Sequence, residues 1–193
     1  MKFERVSAYP DAILPVRSTA EAGGYDLFAA EDTIIPSYWE IMRHIQELLD
    51  NGYGTLEKVL EHNPDWRPTL VPTGVKLYLE PNKTFEISAR SSLPRKRWMI
   101  VANAPGKVDA DYVDNPDNEG HIYVQIINLS PEAQIIKKGE KFAQGSIRQF
   151  FLVDDDNALG KRVGGFGSTG DALKDHNESN TLMQDIANKI MEE

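Results

Sequence analysis

Short apolar runs that alternate with polar residues, each closed by Pro, Gly or Asn, recur along most of this 193-residue chain. The runs at 33–35, 75–79, 85–87, 99–101, 121–127 and 146–153 are of this kind, rich in β-branched and aromatic side chains. A period of two over such lengths predicts half-buried strands, and their regular recurrence predicts an all-β sandwich, jelly roll or barrel.

The stretch at about 37–68 breaks that pattern. Ser37-Tyr38-Trp39-Glu40 has the form of a capping box. Tyr38, Ile41, Met42, Ile45, Leu48 and Leu49 then fall at helical spacing until Asn51-Gly52. Thr55 can cap a shorter helix carrying Leu56, Val59 and Leu60, which Asn63-Pro64 ends. A helical hairpin is thus inserted between strand regions, either packed on the sheet or offering a docking surface to a protein partner. Beyond Gly170, a polar stretch leads to a second capping box, Thr181-Leu182-Met183-Gln184, with Leu182, Ile186 and Ile190 on one helix face. The expected organisation is a mainly β domain over 1–170, interrupted by the insertion, followed by a linker and C-terminal helix over 171–193.

Composition narrows the function. The formal net charge of −9 argues against a general nucleic-acid surface, so an anionic ligand must be drawn by a local basic patch. With no cysteine there is no disulfide, zinc–thiolate site or thiol nucleophile. No apolar run approaches the ~20 residues of a membrane span, and the N-terminus lacks a signal-type apolar region. The expectation is a cytoplasmic protein without membrane contact.

Four stretches carry candidate chemistry. In Gly106-Lys107-Val108-Asp109-Ala110-Asp111-Tyr112, two carboxylates two residues apart share one side of an extended strand, placed by the preceding Asn103 and Pro105 on a hairpin edge. A carboxylate there can serve as general base, metal ligand or turn residue. Ala89-Arg90-Ser91-Ser92-Leu93, with Arg95-Lys96-Arg97 after it, supplies hydroxyls, backbone N–H groups and a forked guanidinium suited to a polyphosphate. Gly139-Glu140-Lys141-Phe142-Ala143-Gln144 enters a strand and presents an amide for a water or phosphate oxygen. Gly164-Gly165-Phe166-Gly167-Ser168-Thr169-Gly170 is glycine-rich but lacks the lysine of a P-loop.

In this order, and with Gly24-Tyr25-Asp26-Leu27-Phe28-Ala29-Ala30 ahead of them, these stretches resemble the five motifs of the homotrimeric dUTPases, over most of 17–170. The phage and Gram-positive members are the nearest in style. The resemblance implies a jelly-roll-like β fold, a trimer whose active sites each draw on three subunits, and hydrolysis of dUTP to dUMP and pyrophosphate with Mg²⁺ carried on the triphosphate. On that analogy Asp109 activates the attacking water and Tyr112 packs under the deoxyribose. Asn103, with the tight backbone around Gly106, reads the uracil. Arg90, Ser91 and Ser92 hold phosphates, Gln144 contacts the α-phosphate and water, and Asp26 acts on Mg²⁺ through a water molecule. Phe166 covers the base, while Gly167, Ser168, Thr169 and Arg162 close over the phosphates, with Lys161 an alternative for Arg162. The chain departs from the motifs at Leu93 and Lys107 and in about six extra residues after Tyr112. Two other readings stay open. One is a dCTP deaminase of the same superfamily, suggested by Glu119-Gly120-His121-Ile122; the other is a regulatory binding protein acting through the helical insertion.

Overall fold

The structure, a computed structural model, describes residues 1–158, 160 and 162. It is mainly β and jelly-roll-like. In chain order the elements are β1 (Lys2–Arg5), β2 (Tyr25–Phe28), β3 (Thr33–Ile35), α1 (Tyr38–Asp50), α2 (Leu56–His62), β4 (Thr69–Pro72), β5 (Val75–Tyr78), β6 (Lys83–Ala89), α3 (Ser92–Arg97), β7 (Met99–Val101), β8 (Gly106–Asp109), β9 (Tyr123–Asn128), β10 (Gln134–Ile136) and β11 (Lys141–Gln149). Short 3-10 turns follow α2 at Pro64–Trp66 and β8 at Ala110–Tyr112. Every ladder is antiparallel: a four-stranded sheet β2-β11-β6-β8, a three-stranded sheet β4-β9-β7, and the pairs β1-β5 and β3-β10.

Alternation along β6 sets the core. Phe85 and Ile87 point inward and are buried among Leu27, Val71, Leu77, Met99, Val124, Ile126 and Phe142. Phe3 meets Phe85 edge-on, with ring centroids 5.6 Å apart. Gly145 lies opposite Ile87 on β11, and a Cβ there would sit 2.2 Å from Cζ of Phe85. The glycine therefore leaves room for the tip of the phenyl ring to press against the neighbouring strand.

The helical insertion has its own small core. Ile41, Ile45 and Val59 are buried together and are flanked by Leu48, Leu49, Leu60 and Trp66. Thr55 caps α2 as expected, accepting the Lys58 N–H. Ser37 occupies the N-cap position of α1 but forms no capping bond. Its hydroxyl instead donates to the Ser130 carbonyl at 2.8 Å, because Ser37 bridges to Asn128 and is wholly buried. A tertiary contact thus displaces the expected capping box. Trp39 donates from its indole to the Leu129 carbonyl at 3.0 Å, and together these two bonds tie the insertion to the body.

Two further expectations are corrected. β7 and β8 do not form a hairpin: β7 pairs with β9 and β8 with β6, so the tight turn between them carries the chain from one sheet to the other. The last strand begins at Lys141 and stops at Gln149 rather than reaching Val153. Gln149 pairs with Lys83, the first residue of β6, and the Phe150 N–H closes the end of the ladder on the Asn82 carbonyl at 3.0 Å. Beyond that point β6 has no further residues to pair, and Phe150, Phe151, Leu152 and Val153 are all exposed. The C-terminal helix and the 171–193 division lie outside the described residues.

Buried His121 sits against the rings of Tyr9 and Tyr123, and its Nε2 accepts the Gly74 N–H at 2.8 Å. Burial pulls the imidazole down to about 4 from its ordinary 6.5, against a smaller upward pull from Glu119.

Two outcomes are expected. Gly145→Ala should lose roughly 1–3 kcal/mol in chemical denaturation through overpacking, and Phe85→Leu in the same chain should restore part of it. Between pH 6.5 and about 4 the unfolded chain binds the His121 proton and the native one does not. This stability is therefore present above pH 6.5 and lost as pH falls, by roughly 1–3 kcal/mol. Denaturation of His121→Gln across that window should lack this slope.

Candidate active site

The outward face of the four-stranded sheet carries the polar residues of its strands. Residues directly opposite each other across a ladder share a face. Asp26, Gln144 and Ser88 therefore form one polar row, and Arg148, Thr84 and Asp109 form another. Around the first row lies an open cleft of about 610 Å³ lined by Ser18, Asp26, Ser88, Arg90, Ser91, Gln144 and Arg148, among others. Asp26 is buried. Its Oδ1 lies 3.0 Å from Arg90 Nε; its Oδ2 lies 2.9 Å from Lys141 Nζ and accepts the Ser18 hydroxyl at 2.5 Å. Burial pushes the Asp26 carboxyl up, but the Ser18 hydroxyl, Lys141 and Arg90 together hold it below its ordinary value of 3.8. Arg90 also donates to the Lys141 carbonyl at 3.2 Å. The guanidinium is thus oriented on two sides, as a bidentate anion-binding group requires.

A second cleft, of about 190 Å³, opens between β8 and β9. Asn103, Gly106, Lys107, Asp109, Tyr112, Tyr123 and Arg162 line it over an apolar floor that includes Ile87, Val101, Ile122 and Val124. Tyr112 is buried and Asp109 exposed. Burial pushes the Tyr112 phenol up, offset in part by its bond from Asn118. A Cβ at Gly106 would sit 3.4 Å from both polar atoms of the Asn103 amide, so the glycine leaves that amide uncovered. Asp111 lies on the 3-10 turn rather than on the strand, yet faces the same way as Asp109. Arg162 joins them, with Nη2 at 2.9 Å from Asp109 Oδ2 and Nε at 3.1 Å from Asp111 Oδ1. Its guanidinium lies 5.6 Å from the centroid of the Tyr112 ring.

Asp109 and Gln144 are not brought together within one chain. Asp109 is level with Arg148 of β11, four residues from Gln144. That is roughly 13 Å along the strand and two spacings of about 4.8 Å to the side. Among the described residues the two clefts share no lining residue. Ser92 opens instead onto a neighbouring depression with Arg90, Lys96 and Arg97. Arg97 does not contribute to a free basic patch: it donates to Gln134 at 3.0 Å, Glu140 at 2.6 Å and the Ile135 carbonyl at 2.7 Å. Leu93 is a core residue. Glu119, the residue on which a deaminase reading would rest, lies outside both clefts and accepts the Ser7 N–H at 2.9 Å and its hydroxyl at 2.5 Å. Sequence reasoning did not pick out Ser18, Lys141 or Arg148. Lys141 lies within a stretch already singled out, but no local pattern marks Ser18 or Arg148. Phe166, Gly167, Ser168, Thr169 and Lys161 lie outside the described residues.

A direct protein site for Mg²⁺ does not fit these residues. Among the described residues no three His, Cys, Asp or Glu side chains cluster as metal ligands, and two cations already span Asp26. Among the described residues, too, no helix is long and apolar enough to cross a membrane.

No family model matches the chain. A deoxyuridine 5′-triphosphate nucleotidohydrolase of Lactococcus lactis is 37% identical over 172 residues, spanning 87% of this chain and 96% of that protein. The Wolinella succinogenes protein of the same name is 31% identical over 175 residues, 88% of this chain and 95% of its own length. The crystal structure of dUTPase from Streptococcus mutans superposes with a TM-score of 0.63 at 35% identity, covering 80% of this chain and 99% of that one. The dUTPase of Staphylococcus aureus phage phi11 shares the fold with a TM-score of 0.56 at 15% identity, over 83% of this chain and 97% of its own. With relatives this similar along nearly their whole length, the chain belongs to the dUTPase family, the dUTP diphosphatases.

Proposed function

We propose that this protein hydrolyses dUTP to dUMP and pyrophosphate. The observation that carries the reading is the smaller cleft, where a buried tyrosine, an open asparagine amide and an exposed carboxylate meet over an apolar floor. Tyr112 packs under the deoxyribose, and Asn103 with the adjoining backbone pairs with the uracil edge. Asp109 takes a proton from water as the water oxygen attacks the α-phosphorus, and the bond to the bridging oxygen breaks, releasing pyrophosphate. Arg90, Ser91 and Ser92 hold the phosphates and Gln144 orients the α-phosphate and water. Such a reaction needs mainly positioning and charge stabilisation, with the base contributing roughly 10²- to 10⁴-fold. Mg²⁺ bound with the triphosphate would supply charge neutralisation, and Asp26 would act on it through a water. Arg162 exchanges its two carboxylates for phosphate when substrate binds, joined there by Gly167, Ser168 and Thr169, while Phe166 covers the uracil.

The separation of Asp109 from Gln144 supports a site assembled between copies, as in a homotrimer. The exposed apolar run Phe150, Phe151, Leu152 and Val153 supports the same arrangement, since a neighbouring copy would cover it. Engagement of Glu119 by Ser7 favours hydrolysis over deamination. A second role in docking a protein draws on Trp39, Met42, Tyr53 and Leu56, all exposed on or beside the insertion.

In a pyrophosphate-release assay across dUTP, dCTP, dTTP and UTP, with and without Mg²⁺, only dUTP with Mg²⁺ should turn over well. Release of ammonia from dCTP would overturn the reading. Asp109→Asn should bind a non-hydrolysable dUTP analogue nearly normally while losing roughly 10²- to 10⁴-fold in kcat. Mixing Asp109→Asn with Gln144→Ala subunits should restore part of the activity that each lacks alone; no restoration would place both residues in one copy's site.

A further inference from the structure

The residues inserted after Tyr112 do more than lengthen a turn. They build a bracket around the tyrosine's own hydroxyl. Buried Asn115 starts it: its Oδ1 accepts the N–H groups of Asp117 at 3.1 Å and Asn118 at 3.2 Å, and its Nδ2 donates back to the Tyr112 carbonyl at 2.7 Å. The same Nδ2 lies 2.8 Å from Asn118 Oδ1, which also accepts the Gly120 N–H at 3.0 Å. With two donors on its oxygen, the Asn118 amide can only turn its nitrogen toward the phenol. That nitrogen donates to Tyr112 Oη at 2.9 Å, while Oη donates to the His121 carbonyl at 3.0 Å.

The far side of the loop is tied down as well. Asp114 pairs with Lys76 and accepts the Tyr78 hydroxyl at 2.8 Å. Gly120, at φ +79°, returns the chain so tightly that a Cβ would lie 2.6 Å from Val113 Cα and 2.8 Å from the Tyr112 carbonyl oxygen. The phenol oxygen is therefore held from two directions by a loop that is itself closed on both flanks.

From this geometry we infer that Asn118, oriented by Asn115, is a positioning residue that sets where the Tyr112 ring stands in the cleft and so fixes the discrimination between deoxyribose and ribose. The inference rests on the reading of Tyr112 as the wall under the sugar. A wall excludes one extra oxygen only if it cannot recede, because contact alone rejects a misfitted group by a few kcal/mol at most, roughly 1–3. Two hydrogen bonds at the ring's far end remove the freedom by which it would recede. Asn118 touches no substrate in this scheme and acts through Tyr112.

The test compares kcat/KM for dUTP and UTP in four single variants and one double, with thermal melting alongside. Asn118→Asp keeps an oxygen for Asn115 and Gly120 but replaces the donor facing Tyr112 with a second acceptor. It should lower the dUTP-to-UTP ratio roughly 3- to 10-fold, the scale of one hydrogen bond. Tyr112→Phe removes this bond together with the one from Oη to the His121 carbonyl and should lower the ratio at least as much, and the double variant should be no worse than Tyr112→Phe alone. Asp114→Ala loosens the loop's outer anchor, and its effect should appear in melting and not in the ratio. An unchanged ratio in Tyr112→Phe overturns the inference even if Asn118→Asp does not fold; so does an equal loss of ratio in Asp114→Ala, which would reduce Asn118 to a general support. Tyr112→Ala separates the two levels. If it admits UTP while Asn118→Asp and Tyr112→Phe do not, only the role of Asn118 falls. If it leaves the ratio unchanged, Tyr112 is not the sugar wall and both readings fall.

Discussion

The contact between Phe85 and Gly145 holds the arrangement of this chain together. Phe85 fills the centre of the core from β6, and the missing side chain on β11 lets the two strands pair at full closeness beside it. Because side chains alternate, burying Phe85 and Ile87 obliges Thr84, Glu86 and Ser88 to face the other way. The same pairing carries Gln144 to the level of Ser88 and Asp26, and the neighbouring ladder carries Asp109 to the level of Thr84. The chemistry on one face is registered by the packing on the other, and a one-residue slip would dismantle both.

In the proposed scheme that registry also keeps the parts of the reaction apart. The base-side cleft is narrow and floored by apolar residues, so it suits a flat ring and a sugar. The phosphate-side cleft is wide and polar, with Arg90 oriented by Asp26 and the Lys141 carbonyl. An acidic protein thereby presents a local cationic wall without a basic surface overall. The buried Asp26 carboxylate is what makes this possible, since it gathers two cations at one point and is itself stabilised by them. The division into two clefts explains why a single copy is an incomplete catalyst in the proposed scheme.

In the role inferred for Asn118, the loop after Tyr112 acts on a site without entering it. Asn115 and Asn118 satisfy the backbone of a tight left-handed turn and at the same time spend one amide donor on the phenol. Local turn chemistry and the hydroxyl of a cleft-lining tyrosine are thus part of one hydrogen-bond network.

Much of this was legible in the sequence. Strands at 33–35, 85–87 and 99–101, the two inserted helices and the Thr55 cap follow from periodicity and turn residues, which are local properties of the chain. Asp26, Arg90, Asn103, Asp109, Tyr112 and Gln144 stood out because they recur as ordered motifs. What the sequence alone could not decide was any question of partnership. Ser37 looks like a helix cap, yet its hydroxyl goes to Ser130, ninety-three residues away. Arg97 looks like part of a phosphate-binding cluster, yet it is taken by Gln134, Glu140 and Ile135. The strands flanking Asn103 look like a hairpin, yet they belong to different sheets. The pattern of side chains along the chain determines which residues can form strands, turns and polar faces. Which of them meet depends on contacts between distant segments, and those are chosen only when the whole core closes around Phe85.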